Sequence, residues 1–377
     1  MKAVICAYGR TPFHFARKGR LAGVRPDTLA AHLVAALVQR LDLDPLLLED
    51  LVLGCAYPEA AQGGNLARMV GLLAGLPQSV GGMTVNRLGG SSMQAVHSAA
   101  AQIEAGMGEA FLCLGVESMS MVPLGGLHGS PHPRLLARGD ATIAMGQTAE
   151  NVAERWHVDR AAQEDFALQS HRKAANAQAC GRLAEEIVPI ADADGAAVQQ
   201  DGCIRAQASL EAMAALRPAF RDGGSVTAAT ASPPTDGAAA LLVASDIFAS
   251  RHRLAPLARI RACASIGVDP AVMGIGPVPA TRKALKRAGI AVADLDVVEL
   301  HEAFASQALA CARELGLDPA RTNLDGGGLA IGHPLGASGA RIVGKAAALL
   351  RRTGGRYALA TQCVAGGQGI ATILERA

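Results

Sequence analysis

"GSSMQAVHSAAAQIEAGMGEAFLCLG", Gly90 to Gly115, decides the fold because the chain contains the pattern twice. Its counterpart is "GASGARIVGKAAALLRRTGGRYALAT", Gly336 to Thr361, offset by 246 residues. Ser92 pairs with Ser338, Val96 with Ile342, Ala100 with Ala346, Ala101 with Ala347, Gly108 with Gly354 and Phe111 with Tyr357. Alanine-rich helices can match by chance, so a second match is needed. "DLVLGC" at Asp50 and "DVVELH" at Asp296 supply it at the same offset, without a gap. Two separate segments sharing one offset mark an internal duplication.

Each half reads as strand, glycine turn, helix, strand. Met93, Val96, Ala100 and Ile103 recur at helical spacing, Gly106 to Gly108 stop the helix, and "AFLCLGV" is a continuous apolar strand. Continuous apolar strands alternating with helices imply a sheet covered on both faces, and so a layered α/β protein. The expected division is a first half over 1–117 that resumes at 240–250, an inserted region over 118–239, and a second half over 251–377. The insertion carries "GGLHGSPHPRLLARGD" and solvated helices such as "DRAAQEDFALQSHRKAANAQ". Long excursions from a rigid scaffold commonly bind a ligand or partner.

Composition excludes several classes. Hydrophobic residues reach 50% against 18% charged, the opposite of a disordered chain. A net charge of +2 and 3% aromatic residues leave no basic, stacking face for nucleic acid. The eight cysteines form no Cys-x-x-Cys pair, so no metal site or disulfide framework is expected. A reduced, cytoplasmic setting is the simpler expectation. "MKAVICAYGRTPF" reads as a first strand because its apolar run is too short for a signal segment, and no stretch reads as a membrane span.

The chemistry gathers in glycine-rich turns. In "VNRLGGSSMQAV", Val85 to Val96, a strand end, a tight turn and a helix start form a mount for a reactive side chain, but Gly89 and Gly90 carry none. In "GGGLAIGHPLGASGAR", Gly332 and Pro334 fix the backbone of His333 among small residues that leave room for a ligand. Neutral imidazole so placed suits a general base. The other nine histidines include eight, His14, His32, His97, His128, His132, His157, His171 and His252, that read as core or surface residues. In "ATQCVAGGQGIA", Cys363 closes an apolar strand before a glycine turn. It is either a small buried hydrophobe or a side chain exposed together with oxyanion-binding amides. "LHEAFASQ" places His301 and Glu302 at another strand end, where Glu302 could equally cap a helix. "SVTAATASPPTDGAAALLVAS" could line a groove or simply lead into a core strand. The glycine runs lack both the Rossmann spacing and a Walker lysine.

Taken together, "VNRLGGSSMQA", "GVESMS", "MGQTAEN", "LRPAF", "VMGIGPVPA", "HEAFA", "GHPLGASGAR" and "CVAGGQGIA" resemble the thiolase family, in its order and over essentially the whole chain. The wording is nearest the degradative 3-ketoacyl-CoA thiolases of fatty-acid oxidation. The resemblance implies a five-layer αβαβα sandwich of two duplicated halves with an inserted loop domain. It implies a homodimer, with a tetramer as the larger alternative, and a β-oxidation partner subunit as a further possibility. Coenzyme A is the implied co-substrate, with no covalently bound cofactor and no metal. Its implied pocket is formed by Leu136, Met145, Phe220, Ala228, Ser232, Met273, Ala303 and Phe304. The family's base matches His333, and its second cysteine, which exchanges a proton with the acetyl-CoA enolate, matches Cys363. His301 stands where the family often has asparagine, holding a water for one oxyanion hole. Backbone amides matching Gly89 and Ala365 form the other.

One departure matters. The family's "NRLCG" reads "NRLGG", so the nucleophile position holds Gly89. Cys113 lies within the following strand and is no substitute. The implied reaction, 3-ketoacyl-CoA plus CoA giving acetyl-CoA and a shortened acyl-CoA, is therefore expected to be severely impaired. The competing expectation is a nucleophile-less protein acting as a retro-aldol or Claisen-type lyase, or as a non-catalytic CoA-ester binding subunit.

Overall fold

The computed structural model describes residues 1–377. Its duplicated architecture is visible in the strand pairing. In the first half Asp50–Gly54 runs parallel to Ala110–Ser118, which pairs antiparallel with Thr235–Ser245, which pairs antiparallel with Ala3–Arg10. In the second, Val297–Leu300 runs parallel to Tyr357–Val364, then antiparallel to Gln368–Glu375 and Ala258–Gly267. The two sets join through only two residue pairs, Val4 with Arg259 and Ile5 with Ala258. Gly81–Val85 extends the first-half edge.

Side-chain alternation along the strands builds the layers. Leu51, Leu53, Leu112, Leu114, Leu242 and Ala244 face an outer core shared with the helix Pro26–Leu41. Their neighbours Val52, Phe111, Cys113, Leu241 and Val243 face a central core. That central core also receives Ala358, Ala360, Ile370 and Leu374 from the second half, while Leu359, Ala371 and Ile373 face the opposite outer core. Between the half-sheets lie the helices Ser91–Glu104 and Leu335–Thr353, which supply Met93, Val96, Ala340 and Val343. The order is therefore helix, sheet, helix, sheet, helix.

The central helices approach too closely for a side chain at Gly339, where a Cβ would stand 2.4 Å from the backbone nitrogen of Met93. Backbone cannot move aside as a flexible side chain can. Gly339→Val is expected to lower unfolding free energy by about 1–3 kcal/mol, read as a lower midpoint in denaturant.

The excursion leaves from Ala110–Ser118 and returns on Thr235–Ser245. Its helices Met145–Arg155 and Arg160–Ala179 rest on the second half: Ser306 Oγ donates to the Ala149 carbonyl at 3.0 Å, and Ser170 Oγ donates to Glu302 at 2.6 Å. These contacts bring the loop region over the strand ends that carry the chemical motifs. No helix is long and apolar enough to cross a membrane.

Candidate active site

After Gly81–Val85 the chain turns sharply into Ser91–Glu104. Asn86 Oδ1 accepts from Leu88 N at 2.7 Å, Ser91 Oγ donates to the Leu88 carbonyl at 2.6 Å, and Leu88 takes a left-handed φ of 45°. Such strain in a non-glycine residue is held only where neighbours fix the turn. Its two glycines are not equivalent. A Cβ at Gly90 would stand 2.8 Å from Val364 Cγ2, so packing demands that glycine. A Cβ at Gly89 would meet nothing nearer than His333, at 3.6 Å from both Cε1 and Nε2, and Gln362 Nε2 at 3.7 Å. Gly89 is thus a position where a side chain fits and none is supplied.

His333 is set by its own glycine. Gly332 has φ 110°, and the space its Cβ would need is filled by Thr235. His333 N donates to Thr235 Oγ1 at 3.0 Å. On the ring, Nδ1 lies 2.6 Å from Ser338 Oγ, and Ser338 directs its own proton to the Pro334 carbonyl at 3.1 Å. With the serine proton on that carbonyl, Ser338 Oγ is placed to accept from Nδ1–H, the tautomer that leaves the Nε2 lone pair facing Gly89. Burial, with a smaller contribution from the charge of Arg341, lowers the His333 pKa to about 3. The ring is neutral at pH 7 and able to accept a proton.

Cys363 is the penultimate residue of Tyr357–Val364 and packs with Met273, Ala303 and Phe304. Burial pushes its thiol up to about 12, so it holds its proton at neutral pH. Two backbone N–H groups bordering the same space, those of Gly89 and Ala365, donate to no protein acceptor. Both residues line the same cavity, where unpaired amides suit an oxyanion.

Gly89, His333, Cys363 and Ala365 line one cavity of about 120 Å³ together with Met145, Ser232, Met273, Ala303 and Phe304. His301 stands behind His333, ring centres 4.0 Å apart, and is 1% exposed. Neither of its ring nitrogens has a partner in the protein. Burial holds its pKa well below the usual imidazole value, so one nitrogen carries a proton with no protein group to receive it. Phe220 stays partly exposed at the rim, edge-on to Phe304 with centroids 5.9 Å apart. Leu136 is exposed on the short helix Pro133–Arg138 and does not reach the cavity wall. Ala228 lines a separate cavity beside Phe15 and Met213. A larger cavity of about 560 Å³, beside Tyr8, Lys345 and Arg352, contains none of the motif residues, so chemistry and not size selects the site.

The models of the thiolase N-terminal domain and the thiolase C-terminal domain match residues 3–246 and 254–376. The chain belongs to the thiolase family. Among its thiolase relatives, the "Beta-ketoadipyl-CoA thiolase" of Escherichia coli is 47% identical over 100% of this chain and 99% of the relative. The "3-ketoacyl-CoA thiolase" of Shewanella baltica is likewise 47% identical, over the same shares. The "3-oxoadipyl-CoA/3-oxo-5,6-dehydrosuberyl-CoA thiolase" of Escherichia coli strain K12 is 46% identical, again over 100% and 99%.

Some residues of this thiolase site carry no distinctive sequence signal. Gln362 Nε2 donates to the Gly89 carbonyl at 2.5 Å and bounds the empty position. Ser338, visible in sequence only as the repeat partner of Ser92, sets the His333 tautomer. Ser92 instead accepts from Ala340 N at 2.8 Å and joins the two central helices. Glu302 is no helix cap: it is buried and accepts from Ser170, from Asn323 Nδ2 at 2.6 Å and from Leu329 N at 3.3 Å. It ties the loop region to the segment leading to His333.

Ser338 acts through His333. In a Gly89→Cys background, Ser338→Ala is expected to reduce kcat about 10- to 100-fold with little change in KM, because the ring loses the partner that keeps Nε2 free.

Proposed function

We propose that this chain is a 3-ketoacyl-CoA thiolase by descent and by pocket, whose thiolysis is severely impaired because Gly89 stands at the nucleophile position. The family reaction joins 3-ketoacyl-CoA and coenzyme A, its co-substrate, to give acetyl-CoA and a shortened acyl-CoA. In this reading His333 is the base that activates a thiol. Cys363 exchanges the proton at C2 of the acetyl-CoA enolate. His333 and a water held by His301 receive the thioester oxyanion, and the Gly89 and Ala365 amides receive the oxyanion formed at C3. The observation that carries the reading is the convergence of Gly89, His333, Cys363 and Ala365 on one small, largely apolar cavity.

Coenzyme A would enter along the inserted region 118–239, past Met145, Ser232 and Phe220, with Met273, Ala303 and Phe304 behind it. Leu136 and Ala228 belong to this surface only if the loop region shifts on binding. The halves over 1–117 with 240–250, and over 251–377, supply the scaffold. A homodimer fits the first-half edge, where Gly81–Val85 has no further strand partner and Met83 lies exposed near Met69, Leu72 and Leu73. The reading sets the enzyme in the cytoplasm, in acyl-CoA degradation, with a β-oxidation subunit as a candidate partner.

A non-catalytic CoA-ester binding role is favoured by Gly89 alone. The tautomer-locked His333, the protonated Cys363 and the two free amides would have no use in it.

Calorimetric titration with acetoacetyl-CoA tests the reading. The chain should bind it, and Phe304→Ala should weaken binding about tenfold or more through lost apolar contact. Absence of binding to any CoA ester would overturn the proposal.

A further inference from the structure

Around Gly89 the site keeps everything needed for addition to a carbonyl except an attacking side chain. The Nε2 lone pair of His333 is free, the Gly89 and Ala365 N–H groups are unpaired, and Cys363 holds a proton for a leaving carbanion. The point a Cβ would occupy on Gly89 lies 3.6 Å from His333 Nε2 and 3.7 Å from Gln362 Nε2. A water oxygen must stand farther from the Gly89 backbone than a Cβ would, about where the sulfur of a cysteine would lie, in the cavity that Gly89 and His333 line together, and from there it can donate to the imidazole. In a chain with cysteine at this position the sulfur would fill the same space.

We propose that this chain hydrolyses the C2–C3 bond of 3-ketoacyl-CoA, using water as the nucleophile at the Gly89 position. His333 Nε2 takes one proton as the water oxygen bonds to C3, and the carbonyl electrons move onto the C3 oxygen, where the Gly89 and Ala365 amides donate. Collapse of this adduct breaks C2–C3, releases a carboxylic acid and leaves the electron pair on C2 as the acetyl-CoA enolate. Cys363 Sγ–H protonates C2, and the proton held on His333 returns to the Cys363 sulfur. One 3-ketoacyl-CoA and one water give one carboxylic acid and one acetyl-CoA, with no oxidant and no second coenzyme A. The inference rests on the 3-ketoacyl-CoA reading of the cavity and goes beyond it, because the family reaction transfers the acyl group to a thiol.

The test incubates the full chain with 3-ketooctanoyl-CoA in water carrying heavy oxygen and without free coenzyme A, and resolves the products by mass spectrometry. Hexanoate bearing one heavy oxygen and acetyl-CoA should form in equal amounts, at least about 100-fold faster than with His333→Gln. If that variant does not fold, the position of the label in the parent chain's products still decides. Release of 3-ketooctanoate and free coenzyme A would mean cleavage at the thioester and would overturn the proposal. So would binding of the substrate, seen by calorimetry, with no hexanoate above background, which leaves the thiolase pocket reading intact. Absence of binding would overturn both.

Discussion

The Gly89→Cys variant cleaves 3-ketoacyl-CoA with free coenzyme A on the order of 10³- to 10⁶-fold faster than the parent chain, measured as acetyl-CoA formed under saturating substrate. The expectation follows from what the site already holds. The position accepts a Cβ at ordinary contact distance, so the turn need not move. The side chain would sit just ahead of the helix Ser91–Glu104, whose N-terminal partial charge favours a thiolate. It would also face His333 Nε2, the nitrogen that carries no proton. The tetrahedral oxyanion would find two unpaired amides. Gly90→Cys is the control: its Cβ would collide with Val364, and the gain in rate should be absent. If Gly89→Cys binds acyl-CoA as the parent does yet gains no thiolysis, the pocket serves some other chemistry and the mount was not built for a thiol.

The duplication was legible because it is written in local patterns. Strands of one apolar run, helices with a repeating stripe, and a constant offset survive without knowledge of tertiary contacts. The layer order follows from the same alternation, since Leu112 and Cys113 must point to opposite faces of one strand. His333 and Cys363 were legible as candidates because glycines bracket them, but their meeting with Gly89 depends on three distant segments converging, which spacing does not report. Roles that depend on a hydrogen-bond partner stayed hidden. Nothing near Ser338 in sequence says that its hydroxyl, and not the equivalent one of Ser92, orients a histidine. Glu302 reads as a cap until Ser170 and Asn323 are seen on its oxygens. The buried charges were equally silent. Lys345 and Arg352 both fall in the C-terminal half of a helix that pattern alone paints as apolar, and their partners come from the loop region and a turn.

Those charges carry the second large effect. Asp325, 1% exposed, receives Arg352 through two contacts of 2.7 and 2.9 Å, Lys345 at 2.7 Å and Arg182 at 3.1 Å. Burial opposes the charge on Asp325, but hydrogen bonds from Arg352 and the charge of Lys345 outweigh it and hold the carboxyl well below the ordinary range. Lys345 also meets Glu186 at 3.0 Å, and Glu186 meets the fully buried Arg10 at 2.8 Å. Asp325→Asn is therefore expected to cost about 2–3 kcal/mol at pH 7, because it removes the buried carboxylate shared by three cations and leaves the buried Lys345 with Glu186 alone. The sign with pH is fixed by the direction of the shift. A carboxyl held low in the folded state stabilises fully above its unfolded value, near 4, and loses that contribution as pH falls through its folded value. The gap in denaturation midpoint between parent and variant should be full at pH 7 and shrink steadily below about pH 4. A gap that stays constant into acid would show that Asp325 acts by shape and not by charge. The consequence reaches the site, since Asp325 opens the turn "DGGGLAIGH" that delivers His333, and Lys345 and Arg352 belong to the helix that begins directly after it. The array anchors that turn to the central helix and, through Arg182 and Glu186, to the loop region. Loss of its charge should loosen the placement of His333 before the whole chain unfolds, so in the Gly89→Cys background Asp325→Asn should lower kcat at temperatures where the fold is still intact.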